Sequence, residues 1–380
     1  MDRRLVLIIV FVTCALIILL ASPFGQGSLP YDLSADNPSN AGVAVAGAEA
    51  NTTGTLETRQ ADIRIALEKS CANFTSSDSP VIELPTDVYE GVDDPEAWGR
   101  ELVSKMSVSS EPEHLYFAAL MEDDPSSRLQ LLKRAIQGNP NDALVVWGAV
   151  QACSEFDASP TCPLSEWEPI LIAVDGQNSE TWIRIAANRY GSGELDAALS
   201  ALRRAGSVAE SNDYWPEMIE MIERGLAAST DRSFSWRAGM AFGLAAANLP
   251  RVGDYTRMCR DQSQLSAEWA YACVDYGKRA EEHGKSMMTV GIGQAIQKYA
   301  LQALGESALA AEVERRSRAR SQQASDAVSD GNELLIIATP ALFHAYLDAV
   351  RLHGETSARL RLNAEIAQTL RDGELKNCNE

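Results

Sequence analysis

Seven cysteines in 380 residues are the side chains of this chain with the plainest chemistry. Cys14 lies inside an uninterrupted apolar run, and Cys71, Cys153, Cys162, Cys259, Cys273 and Cys378 lie outside it. An even number of thiols in an oxidising space pairs into disulfides. Spacing favours two short closures. Cys153 and Cys162 flank a turn-rich Ser-Glu-Phe-Asp-Ala-Ser-Pro-Thr stretch, and Cys259 and Cys273 bracket Asp261 to Ala272, a second helix–helix connection. Short closures of this kind contribute on the order of 2–3 kcal/mol in the chain-entropy model. Cys71 and Cys378 remain; they tie the two ends of the body together, or either is free. No Cys-x-x-Cys is present and no His stands at ligand spacing from a Cys, so no metal site is expected.

Other reactive patterns are thin. There are four His. His344 and His353 are nine apart on one expected helix, the wrong spacing for a shared ligand face. No Gly-x-Ser-x-Gly occurs, and nothing marks a nucleophile with an oriented base. Gly291-Ile-Gly293 lacks the strand and third glycine of a dinucleotide loop and reads as helix packing. Asp93-Asp94, Glu122-Asp123-Asp124 and Glu281-Glu282 fall near expected helix ends, where carboxylates are solvated. Gly305-Glu306-Ser307 resembles the Glu-Ser dipeptide that carries the acid of lytic transglycosylases. The match is two residues, the downstream Gly-Leu-Met-Gln of those domains is absent, and Glu306 reads as an early helix residue after a Gly. Arg315, Arg316, Arg318 and Arg320 form the densest basic cluster. They are either a local site for an acidic group or a solvated helix face on which Glu312, Glu314 and Asp326 offset the charge. No catalytic residue and no cofactor is expected.

The elements that must position these groups begin with an export signal. Arg3 and Arg4 precede Leu5 to Ala21, 17 residues without a charge or a Pro. That is longer than the usual signal-peptide core of about 7–15 and at the short end of the spanning range of about 17–25. Residues 1–22 are therefore a cleaved signal peptide or an uncleaved anchor with its N-terminus in the cytoplasm. Residues 23–55 are rich in Gly, Ser, Pro, Asn and Ala and read as a flexible tether. Residues 56–95 read as a short helix and loop. The formal net charge is −20; residues 1–21 carry two Arg and one Asp, so the exported part holds 31 basic and 52 acidic residues. An acidic body repels nucleic acid and anionic lipid, so membrane contact is expected only through residues 5–21, and no nucleic-acid partner.

From about residue 96 apolar residues recur at three and four spacing, which predicts helices over 97–107, 111–121, 125–138, 142–155, 164–174, 179–191, 194–205, 213–228, 232–248, 263–283, 286–304, 306–328, 333–353 and 356–372. Trp182, Ile185, Ala186, Ala198, Leu202 and Ala205 stand at offsets 0, 3, 4, 16, 20 and 23. Leu115, Leu132 and Ala135, with Pro140 five residues on, form a similar earlier unit. Together they resemble the tetratricopeptide repeat over roughly 111–228. Small residues let paired helices approach, and large ones fill the seam between units. The resemblance implies an all-α fold of antiparallel helix pairs stacked as a right-handed solenoid, with repeats over 96–230 and a C-terminal helical region over 231–380; the alternative is an irregular α-bundle in which the Ala spacing is coincidence. The resemblance also implies concave surfaces that bind proteins or peptides, and it brings no catalytic residues. The expected function is an exported, membrane-anchored or released scaffold on the periplasmic side. The alternatives are an exported enzyme or enzyme accessory with a site in the C-terminal helical half, and a structural spacer.

Overall fold

Helix starts in this chain are written in side chains that accept backbone N–H groups. Asp94, Asp124, Asn178, Ser233 and Ser286 each cap a helix in this way, and proline opens five helices at a position whose N–H has no intrahelical partner. The computed structural model describes residues 94–155, 162–248, 252–329 and 333–371. The expected signal segment 1–22, the tether 23–55, residues 56–93, Cys14, Cys71 and Cys378 lie outside the described residues. The described fold is all-α, and its one β feature is an isolated parallel bridge between Asn178 and Glu210. No described helix is long and apolar enough to cross a membrane.

The helices build two apolar cores, and the chain weaves between them. The first core holds α1 (Pro95–Met106), α2 (Pro112–Met121), α3 (Pro125–Gly138), α4 (Ala143–Glu155) and α5 (Leu164–Asp175). The chain then crosses to the second core with α6 (Ser179–Gly191) and α7 (Leu195–Ser207), and returns to the first with α8 (Trp215–Ser229) and α9 (Phe234–Ala247). It crosses again for α10 (Val252–Ser263), α11 (Ala267–His283), α12 (Met287–Ala303) and α13 (Ser307–Ser329). It ends on the first core with α14 (Glu333–Ala338), α15 (Pro340–His353) and α16 (Glu355–Arg371). Phe117, Trp147, Leu226, Phe343 and Leu347 are fully buried in the first core, and Ile183, Leu202, Met258 and Ile296 in the second.

Two elements differ from the periodicity reading. An extra helix, α10, precedes the joint at 264–266; it buries Tyr255, Met258 and Cys259, an i, i+3, i+4 stripe obscured by its polar composition. The helix expected over 333–353 is broken at Thr339, which sits at φ −128, ψ 115. The ring of Pro340 excludes the helical conformation from the residue before it. Helix pairs adjacent in sequence pack together as in a stack. In addition α8 packs on α1, α2 and α15, α7 on α11, and α13 on α16. A one-dimensional stack has only nearest-neighbour contacts; here distant helices close the arrangement.

Candidate functional site

The repeat positions lie in helix interiors. Leu115, Leu132, Ala135, Ile185, Ala186, Ala198, Leu202 and Ala205 are buried. Trp182 is half-buried against the second core and donates its indole N–H to the Gly176 carbonyl at 2.9 Å. Gly193 turns the chain from α6 to α7 at φ +78, a conformation open to a residue without Cβ. The two expected short closures form: Cys153 with Cys162 at a Cα separation of 5.6 Å, and Cys259 with Cys273 at 5.8 Å. Both pairs are at disulfide distance, as an oxidising extracytoplasmic compartment allows.

The arginine cluster is tied down within the fold. Arg316 Nε and Nη2 donate to the two Glu281 carboxylate oxygens at 2.9 and 2.8 Å, and Arg320 Nη1 donates to the Glu281 carbonyl at 3.0 Å. Arg315 pairs with Glu312, and Arg318 with Glu314. The two other groups with a chemical pattern lie elsewhere: Glu306 is exposed at the start of α13, and His344 faces Glu220 at 3.7 Å. Gly293 is a packing residue, because a Cβ there would meet the Gly277 carbonyl oxygen at 2.7 Å across the α11–α12 crossing.

Nothing in the sequence singles out a buried polar network that spans the seam between the cores. The capping residue Asn178 is fully buried; its side chain accepts the Glu180 and Asn212 N–H groups and donates to Asp175 and to the Asn212 carbonyl. Glu180, two residues on, is also buried. Its Oε1 accepts Ser211 Oγ at 3.0 Å and the Tyr276 hydroxyl at 3.3 Å. Asp213, buried in the joint between α7 and α8, accepts Thr289 Oγ1 at 2.6 Å and Ser286 Oγ. Glu355, at the start of α16, accepts the Met287 N–H at 2.9 Å. Carboxylates from the joint and from the first core thus meet the N-terminus of α12, where the helix dipole favours negative charge. Arg184 is buried beneath them. Its guanidinium stacks 4.3 Å from the Trp147 ring centroid and 5.9 Å from that of Tyr255, joining side chains of both cores. Burial first, then the Asp213 charge, push the Glu180 carboxyl up to about 7. Burial likewise raises Asp175 and drives the Tyr276 hydroxyl well up. In sequence these residues read as a helix start with an acidic first turn, which gives no hint of burial.

A surface cleft of ≈ 500 Å³ opens between α1 and the joint of α8 with α9. That is within the about 300–1,000 Å³ typical of ligand sites. Trp98 and Trp236 meet edge to face at 5.7 Å in its wall, and the Arg232 guanidinium lies 5.6 Å from the Trp236 centroid. Lys105 Nζ donates to the Ser229 carbonyl at 3.1 Å, at the C-terminal end of α8, and pairs with Glu101 at 2.9 Å. Asp231 and Thr230 add to a lining mainly of hydrogen-bonding groups, with Trp98 half-buried and Trp236 4% exposed behind them. Such a cleft suits a ligand that offers both backbone-like polar groups and an apolar side chain. Among the described residues no group of three His, Cys, Asp or Glu side chains is placed to hold a metal ion. No family model, no curated protein and no solved structure matches this chain.

Proposed function

We propose that this chain is an exported helical scaffold that binds a protein or peptide in the cell envelope, held to the membrane by residues 5–21 or released after cleavage. In this reading α6 and α7 are a tetratricopeptide-like pair, and the pairs before them stack on it in the right-handed solenoid manner. The observation that supports a binding role most directly is the aromatic and polar cleft between α1 and the α8–α9 joint. Its mixed lining matches a peptide, which presents amide groups and side chains together. The acidic body does not suit nucleic acid.

The test uses the disulfide-bonded body as bait in an envelope extract at low and high salt, beside a double charge-reversal variant, Glu101→Arg with Asp231→Arg. Both positions are exposed, so the fold tolerates the change. A reproducible polypeptide partner that the variant fails to retain is expected. Absence of any partner, together with turnover of a small substrate by the purified body, would sink the proposal.

A further inference from the structure

The seam between the two cores carries more acid than base. Glu180 and Asp213 are 4% and 3% exposed, and among the described residues the one buried guanidinium facing them is Arg184, 3% exposed. Arg184 spends its face on Trp147 and Tyr255, and its Nε and Nη2 donate to neither carboxyl. The hydrogen bonds to Glu180 come from neutral hydroxyls, Ser211 and Tyr276; Asp213 accepts the Ser286 and Thr289 hydroxyls and the Trp215 N–H at 3.2 Å. Hydroxyls serve a neutral or a charged acid alike. With both acids ionised the seam therefore holds two buried carboxylates to one buried guanidinium; the N-terminus of α12 favours the charge of Asp213, which leaves that of Glu180 the costlier.

We infer that the Glu180–Asp213 carboxyl pair is a proton-operated latch between the two cores, closed while Glu180 carries a proton and loosened when that proton leaves. The groups facing Glu180 are few. Arg184 lies on its own helix, Asp213 in the joint, Tyr276 on α11 and Tyr255 on α10, with Ser211 as a neutral donor. Further out, Asp175 and Tyr214 flank the Asn178 turn, and Asp254 lies beside Tyr255. Only Arg184 favours the ionised form by charge; Asp213 opposes it. A carboxyl held above its ordinary value contributes stability that is complete below the unfolded value of 4.5 and is lost as pH rises through about 7. Deprotonation leaves α6 less firmly held to the joint at 208–214 and to α11. The inference does not depend on the proposed binding role.

The test is hydrogen exchange of the full disulfide-bonded chain at about pH 6 and about pH 8, corrected for intrinsic rates. The reporting amides are those that close the seam: Ser179 to the Glu210 carbonyl, Glu210 to the Gln177 carbonyl, Asn212 to the Asn178 side chain and Thr289 to Ser286. Protection there should fall about tenfold between the two pH values relative to α2 and α3, the change linkage gives for this carboxyl. In Glu180→Gln it should stay level. Equal wild-type protection at both pH values, or a pH response that survives in Glu180→Gln, overturns the latch. Should that variant fail to fold, infrared spectra of the wild type decide. A protonated carboxyl band that fades from pH 6 to pH 8 supports the latch, and its absence at pH 6 overturns it.

Discussion

Glu281 shows how single residues settle what a charge cluster does. It is 6% exposed at the end of α11, with Gln294 and Gln297 of α12 and Arg316 of α13 all donating to its carboxylate. Burial acts to raise its pKa, but the Arg316, Gln297 and Gln294 hydrogen bonds outweigh it and hold the carboxyl down at about 2. Its contribution to stability is therefore present above the ordinary value of 4.5 and is lost as pH falls towards 2. Glu281→Gln should lower stability at neutral pH by about 2–3 kcal/mol, the low side for a broken ion pair because Arg316 keeps contact with water. The same substitution should flatten the acid loss in denaturant titrations run between pH 5 and 2.5. Arg315 and Arg318 pair within their own helix and are largely exposed. Their removal should change stability by under about 1 kcal/mol.

At the scale of elements, the α11–α12 crossing is set by glycine. A Cβ on Gly277 would stand 2.6 Å from the Gly293 carbonyl oxygen, and one on Gly293 would stand 2.8 Å from the Ala280 Cβ, whereas Gly291 faces open space. Gly293→Ala should cost roughly 2–3 kcal/mol by overpacking. Gly291→Ala should be neutral or stabilise by up to about 1 kcal/mol through helix propensity. Thermal unfolding of the two variants reads the difference directly. The disulfides differ in the same spatial sense. Cys259 and Cys273, joining α10 and α11, are both 0% exposed, while Cys162 beside Cys153 is only half-buried. Mild reduction of the native protein should open Cys153–Cys162 first, with Cys259–Cys273 reduced only on unfolding. Alkylation followed by peptide mapping checks the order.

At the scale of the whole molecule, interleaving makes the ends of the chain matter. The C-terminal helices α14 to α16 supply Leu335, Leu342, Phe343, Tyr346, Leu347 and Val350 to a core begun more than 200 residues earlier by α1 and α2. An open repeat stack loses an end unit and keeps the rest. Deleting residues 333–380 should instead strip the first core and unfold α1 to α5 with it. Circular dichroism of the truncated chain is expected to show loss of more helix than the deleted residues contain. The α13–α16 contact and the Arg351 pairs with Glu217 and Glu220 of α8 bind this end further.

By itself the sequence determined what depends on near neighbours. The apolar spacing placed most helices and the buried side of the α6–α7 pair, Asp124-Pro125 marked a helix start, and short loops brought Cys153 to Cys162 and Cys259 to Cys273. Each of these follows from local geometry, because a helix turn spans four residues and a short joint returns the chain on itself. Only the tertiary structure decided which helices share a core and which polar groups meet at the seam. The Tyr276 hydroxyl reaches Glu180 across 96 residues of chain, and Arg316 reaches Glu281 across 35. Periodicity states that a face is apolar and is silent on what covers it. The burial that perturbs Glu180, like the wall of the α1–α8 cleft, arises only when distant faces are brought together.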